Sequence, residues 1–121
     1  MAQETILLVE DEPAVRQLFA TALSRAGYKV FEARNGEEAV KLFELHASEV
    51  DLLLTDMRMP FMGGAELAKE LRSRKTGLKL ICISGYPGSL QTLDTTDFLA
   101  KPFSRDEMLR KVRDVLDRPP T

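Results

Sequence analysis

Three carboxylates, a hydroxyl and an amine in this chain each stand just past an apolar run. Glu10-Asp11 follows Ile6-Leu7-Leu8-Val9, and Asp56 follows Leu52-Leu53-Leu54-Thr55. Ser84 follows Leu80-Ile81-Cys82-Ile83, and Lys101 follows Phe98-Leu99-Ala100. If the runs are strands of one parallel sheet, these side chains converge at the carboxyl ends of four strands. Carboxylates gathered within a few ångströms repel one another and take up protons unless cations compensate. Lys101 supplies one positive charge. The remaining negative charge and the all-oxygen donor set suit Mg²⁺, with water completing the octahedron. An ion, an ammonium and a hydroxyl around one carboxylate can stabilise a transferring phosphoryl group, the carboxylate being the nucleophile that forms an acyl phosphate.

Convergence requires a particular set of elements, and the pattern supplies them. Short unbroken apolar runs are expected for strands buried on both faces. Between them lie helical patterns. Pro13 suits a first helical turn, Val15, Leu18, Phe19, Ala22 and Leu23 recur at helical spacing, and Gly27 is a natural stop. Lys29-Val30-Phe31-Glu32-Ala33 reads as a half-exposed strand, Asn35-Gly36 as the turn into a helix from Glu37 to His46, and Leu67, Ala68 and Leu71 as the face of a third helix after a Met, Pro and Gly loop from Met59 to Gly64. Ser104-Arg105-Asp106-Glu107 has the form of a capping box opening a last helix, with Pro119-Pro120 beyond it. Strand–helix alternation implies right-handed crossovers and helices on both sheet faces. With the least apolar strands at the edges, the order is 2-1-3-4-5, and the site crevice lies where the chain reverses between strands one and three.

Composition narrows the field. A chain of 121 residues fits one domain, 1–121, and 17 basic against 19 acidic side chains give no general drive toward nucleic acid or an anionic membrane. One cysteine excludes an internal disulfide, and no apolar run approaches the roughly 20 residues that span a bilayer. The expectation is a cytoplasmic domain, tethered to a membrane only through a longer parent chain.

The strings Ile6-Leu7-Leu8-Val9-Glu10-Asp11-Glu12-Pro13, Asp56-Met57-Arg58-Met59-Pro60, Ser84-Gly85-Tyr86 and Lys101-Pro102-Phe103 occur in order along nearly the whole chain. In this the sequence resembles the receiver domain of two-component response regulators. The resemblance implies a flavodoxin-like, doubly wound five-stranded fold that takes phosphate from a phosphohistidine of a histidine kinase or a histidine phosphotransfer domain. It implies Asp56 as phosphoacceptor, and Glu10, Asp11, Asp56 and the backbone carbonyl of Arg58 as ligands of Mg²⁺, with Mn²⁺ able to substitute. Ser84 would donate its hydroxyl to the phosphoryl group and Lys101 would pair with a phosphoryl oxygen. Phe98 occupies the aromatic switch position, moving with Ser84 in a population shift between two surfaces. Slow self-catalysed hydrolysis would follow.

Three departures from the family pattern stand out. Glu10 replaces the more usual aspartate, Phe98 lacks a tyrosine hydroxyl, and the connection from Ser84 to Lys101 is short, so the fourth helix is expected to be short or irregular. That last feature weakens the dimer face of many DNA-binding members, and a monomer or weak dimer is expected. Together with Ser84-Gly85-Tyr86 and Lys101-Pro102-Phe103-Ser104, the short connection resembles receivers fused to the C-terminus of hybrid histidine kinases. The alternatives are a stand-alone single-domain regulator and a degenerate receiver that only binds. A haloacid-dehalogenase-type hydrolase would want an acid two residues after Asp56, where Arg58 stands. A flavin domain of the same fold would want a Gly/Ser/Thr-rich phosphate loop where the anionic Glu10-Asp11-Glu12-Pro13 stands.

Overall fold

Apolar side chains at every position of Thr5–Val9 except the first make a segment that can be stable only with both faces covered, and that is how it is used. In the computed structural model, which describes residues 3–58, 62–84 and 97–118, this is strand β1, an interior strand of a five-stranded parallel sheet. The elements run β1 (Thr5–Val9), α1 (Pro13–Arg25), β2 (Lys29–Ala33), α2 (Gly36–His46), β3 (Val50–Asp56), α3 (Gly64–Arg74), β4 (Lys79–Ser84), β5 (Asp97–Ala100) and α4 (Arg105–Asp117). The sheet order is β2-β1-β3-β4-β5, as the apolarity ranking of the strands requires. The short or irregular helix expected between Tyr86 and Asp97 falls on residues outside those described, as does Met59–Phe61 of the loop before α3.

Alternation along each strand divides the core in two. Ile6, Leu8, Leu52, Leu54, Ile81 and Ile83 face α1 and α4, against Leu23, Met108 and Val112. Leu7, Val9, Leu53, Leu80 and Cys82 face α2 and α3, against Phe43, Leu67 and Leu71. Cys82 is buried, and burial pushes its thiol up to about 12, so it packs as a small apolar residue.

Helix starts follow local chemistry. Pro13 opens α1, and the Asn35 side chain accepts from the Glu38 amide at the start of α2. The capping box at α4 is complete, with the Glu107 amide donating to Ser104 Oγ and the Ser104 amide donating to Glu107 Oε1. Because α4 covers one face of β4 and β5, loosening its first turn has a measurable cost. Ser104→Ala is expected to lower stability by about 1 kcal/mol in urea unfolding with an unchanged m-value.

Candidate functional site

Register decides which side chains meet at the carboxyl edge. Val9 of β1 pairs with Thr55 of β3, so the next residues, Glu10 and Asp56, are neighbours. By the two-residue period both project toward the α1 and α4 side, along with Lys101, which continues β5 past Ala100. Ser84 and Phe98 have the opposite parity. Ser84 is the buried last residue of β4, opposite Ala100, and its carbonyl accepts from the Lys101 amide at 2.9 Å. Phe98 is half-buried in β5 opposite Cys82 and, as Met57 and Met62 also do, packs against the α2 and α3 core.

Glu10, Asp11 and Asp56 each offer a carboxylate oxygen, all within 4.8 Å of one another. Asp56 is buried, with its Oδ1 accepting from the Arg58 amide at 3.1 Å and its Oδ2 lying 3.3 Å from Lys101 Nζ. The Lys101 side chain is 42% exposed, so this pair holds a solvated ammonium over the carboxylate and adds little stability. Asp11 is exposed, which leaves the mouth of the cluster open to water.

Glu10 carries the strongest electrostatic signature. It is 1% exposed; its Oε1 accepts from the Glu12 amide at 3.2 Å, while its Oε2 is buried with no hydrogen-bond partner among the described residues. Burial pushes its carboxyl up from the ordinary 4.5 to about 7, against the Glu12 amide and with help from the charge of Asp56 and the closeness of the Asp11 and Asp56 carboxylates. An unpartnered buried carboxylate oxygen beside two other carboxylates is a donor set suited to a cation. Three oxygen ligands with one exposed side match a divalent ion that keeps part of its water, so the residues fit Mg²⁺.

The raised pKa has a sign. The folded chain holds the Glu10 proton more tightly than the unfolded chain, so metal-free stability falls as pH rises from about 4.5 to about 7 and stays lower above. Glu10→Gln removes this titration while keeping the side-chain shape. Relative to wild type, the variant should gain stability across that window, up to the order of 3 kcal/mol at pH 8. Urea unfolding of both proteins at pH 5 and pH 8 without Mg²⁺ checks this; parallel pH dependences contradict it.

Two further residues support the cluster and had no signal in the spacing of chemical groups. Gly64, the first residue of α3, donates its amide to the Met57 carbonyl at 3.2 Å, and a Cβ there would lie 2.5 Å from the Asp56 carbonyl oxygen. The Gly63-Gly64 pair is the only hint of that close approach in the sequence. Arg16 of α1 donates from Nη1 to the Glu10 carbonyl oxygen at 3.0 Å. Tyr86, which the sequence places two residues past Ser84, lies outside the described residues.

The sheet order, the acidic cluster at the switch point and the lysine on Asp56 can be set beside known proteins. The family model described as response regulator receiver domain matches residues 6–113. The chain belongs to the response regulator receiver domain family. The protein named sensor kinase CckA of Brucella abortus (strain 2308) is 40% identical over 119 residues, covering 94% of this receiver and 13% of that kinase. This receiver thus spans about an eighth of that relative's length. The crystallised receiver domain of the hybrid histidine kinase CckA superposes with a TM-score of 0.82 at 37% identity, covering 93% of this chain and 99% of that one. The response regulator TrrA of Thermotoga maritima, crystallised with Mg²⁺-BeF, superposes at 0.80 with 35% identity over 93% of this chain and 99% of that one. The receiver is therefore a phosphorelay signalling domain similar to those of hybrid histidine kinases. No helix among the described residues is long and apolar enough to cross a membrane.

Proposed function

We propose that this receiver takes a phosphoryl group from a phosphohistidine of a histidine kinase or histidine phosphotransfer domain onto Asp56. The observation that carries the reading is the meeting of Glu10, Asp11 and Asp56 within 4.8 Å, with Glu10 Oε2 buried and unpartnered among the described residues and Lys101 Nζ 3.3 Å from Asp56 Oδ2. A carboxylate oxygen of Asp56 attacks phosphorus, the O–P bond forms as the N–P bond to the donor imidazole breaks, and the imidazole leaves and takes up a proton. Bound Mg²⁺ supplies positive charge to the phosphoryl oxygens as negative charge builds on them.

The chain's own residues divide the remaining work. Glu10, Asp11, Asp56 and the Arg58 carbonyl hold the ion, and Mn²⁺, with similar oxygen preference, substitutes. The Arg58 amide orients the Asp56 carboxylate, and the Lys101 ammonium pairs with a phosphoryl oxygen after transfer. Ser84 gives its hydroxyl to the phosphoryl group, and Phe98, packed against the α2 and α3 core, repacks as Ser84 moves. The acyl phosphate is then slowly hydrolysed at the open side beside Asp11. We further read residues 1–121 as one domain of a hybrid histidine kinase in the cytoplasm, a monomer or weak dimer that contacts neither nucleic acid nor membrane, in line with its balanced 17 basic and 19 acidic side chains.

The test is incubation with a small phosphodonor such as acetyl phosphate, with and without Mg²⁺, followed by intact mass. A gain of one phosphoryl group only with Mg²⁺ is expected. No gain in either condition makes the receiver a binding module.

A further inference from the structure

The loop that carries Glu10 and Asp11 is held at its first residue from both backbone sides. The Glu10 amide donates to the Ala33 carbonyl at the end of β2 at 3.1 Å, and the Glu10 carbonyl accepts from Arg16 Nη1 at 3.0 Å. Arg16 is itself oriented by β2, since its Nε lies 3.5 Å from Glu32 Oε1, and its side chain is only 13% exposed. Its own amide donates to the Glu12 carbonyl at 2.9 Å, so the residue spans the loop from α1. The groups that act on the Glu10 carboxyl are the Glu12 amide, Asp56 and Asp11, whereas Arg16 engages the same residue from behind, through its backbone.

Resting on the Mg²⁺ reading above, we propose that Arg16 is a positioning residue for the acidic site: by forking between the Glu10 carbonyl and Glu32 it sets the direction in which Glu10 and Asp11 present their carboxylates to the ion. The fork explains why an arginine stands here. Two nitrogens of one planar group must reach a carbonyl oxygen and a carboxylate at the same time, which a lysine's single ammonium on a flexible stem cannot reproduce. Groups that orient metal ligands without touching the metal typically change its affinity by roughly 10- to 100-fold when removed.

Calorimetric Mg²⁺ titration and metal-free thermal unfolding of the full chain separate positioning from mere stapling of α1 to β2. Arg16→Gln is expected to weaken Mg²⁺ roughly tenfold. Glu32→Gln, which leaves the hydrogen bond to the Glu10 carbonyl in place, should weaken it less, although both variants lower the unfolding temperature. Should Arg16→Gln fail to fold, Arg16→Lys, which keeps the charge without the fork, carries the test and should still bind Mg²⁺ more weakly than wild type. Wild-type Mg²⁺ affinity in the folded Arg16 variants, with only the unfolding temperature reduced, overturns the inference and leaves Arg16 a staple. A wild-type chain that binds no Mg²⁺ removes the parent reading as well.

Discussion

Asp56→Asn is expected to abolish Mg²⁺-dependent phosphoryl uptake while leaving the metal-free protein as stable as wild type or more so. The first half follows from chemistry, because an amide oxygen is too weak a nucleophile to form an acyl phosphate under conditions where the carboxylate does. The second half follows from the geometry. The amide still accepts from the Arg58 amide, and the pair lost with Lys101 is a solvated one, worth little. What goes with the negative charge is repulsion against Glu10, whose Oε2 has no partner among the described residues and whose carboxyl burial and Asp56 together push up to about 7. Relief of that repulsion should raise metal-free stability at pH 8 by on the order of 1 kcal/mol, the scale of one pKa unit. Added Mg²⁺ should then do less for the variant. Saturation at a hundred times the dissociation constant stabilises a binding protein by about 2.7 kcal/mol, and Asp56→Asn should lose most of that gain. Urea unfolding at pH 8 with and without Mg²⁺ measures both effects, and a variant that is less stable without metal contradicts the account of the cluster as a site of concentrated repulsion.

The second large effect is expected at Gly64. A Cβ there meets the Asp56 carbonyl oxygen at 2.5 Å, the Met57 Cα at 3.0 Å and the Asp56 carbonyl carbon at 3.2 Å. All three are backbone atoms of the strand end that carries Asp56, so no side chain can swing away to make room. Gly64→Ala should push α3 and the end of β3 apart, at a cost of about 1–3 kcal/mol. It should also weaken Mg²⁺, because Asp56 and the Arg58 amide that orients it move together. Gly27 provides the control. Its φ of +102° makes any side chain strained, yet a Cβ would find nothing within 4 Å. Gly27→Ala should therefore lose stability of similar order with Mg²⁺ affinity unchanged. Equal Mg²⁺ affinity in the two variants contradicts the role assigned to the Gly64 contact.

How much of this was legible in the residues depends on whether the cause was local. The strands of Ile6–Val9, Leu52–Leu54 and Leu80–Ile83 announce themselves as apolar runs, and the Ser104–Glu107 capping box is local chemistry that the structure reproduces, whereas Asn35, read as part of a turn, is the N-cap of a helix that begins at Gly36. The position of Asp56 at a strand end, beside Glu10 and Asp11, follows once the sheet order does, and the order follows from which strands are least apolar. The structure adds length rather than new strands, as with β3, which begins at Val50. What spacing could not show are effects that need two distant segments in register. Burial of Glu10 depends on Val9 pairing with both Thr55 and Ala33, the Gly64 contact on α3 closing onto the end of β3, and the Arg16 fork on β2 lying beside α1. Each is a long-range packing outcome, and no single motif encodes it.

The central claim is that one carboxylate, Asp56, receives the phosphoryl group. It is tested most directly by locating that group on the chain. The receiver is phosphorylated by acetyl phosphate with Mg²⁺, digested at acidic pH where acyl phosphates survive, and mapped by fragment mass. The account predicts a single phosphoryl group on the fragment containing Asp56, labile to hydroxylamine as an acyl phosphate is. A stable phosphoryl group on Ser84 or any other residue, with Asp56 unmodified, contradicts it.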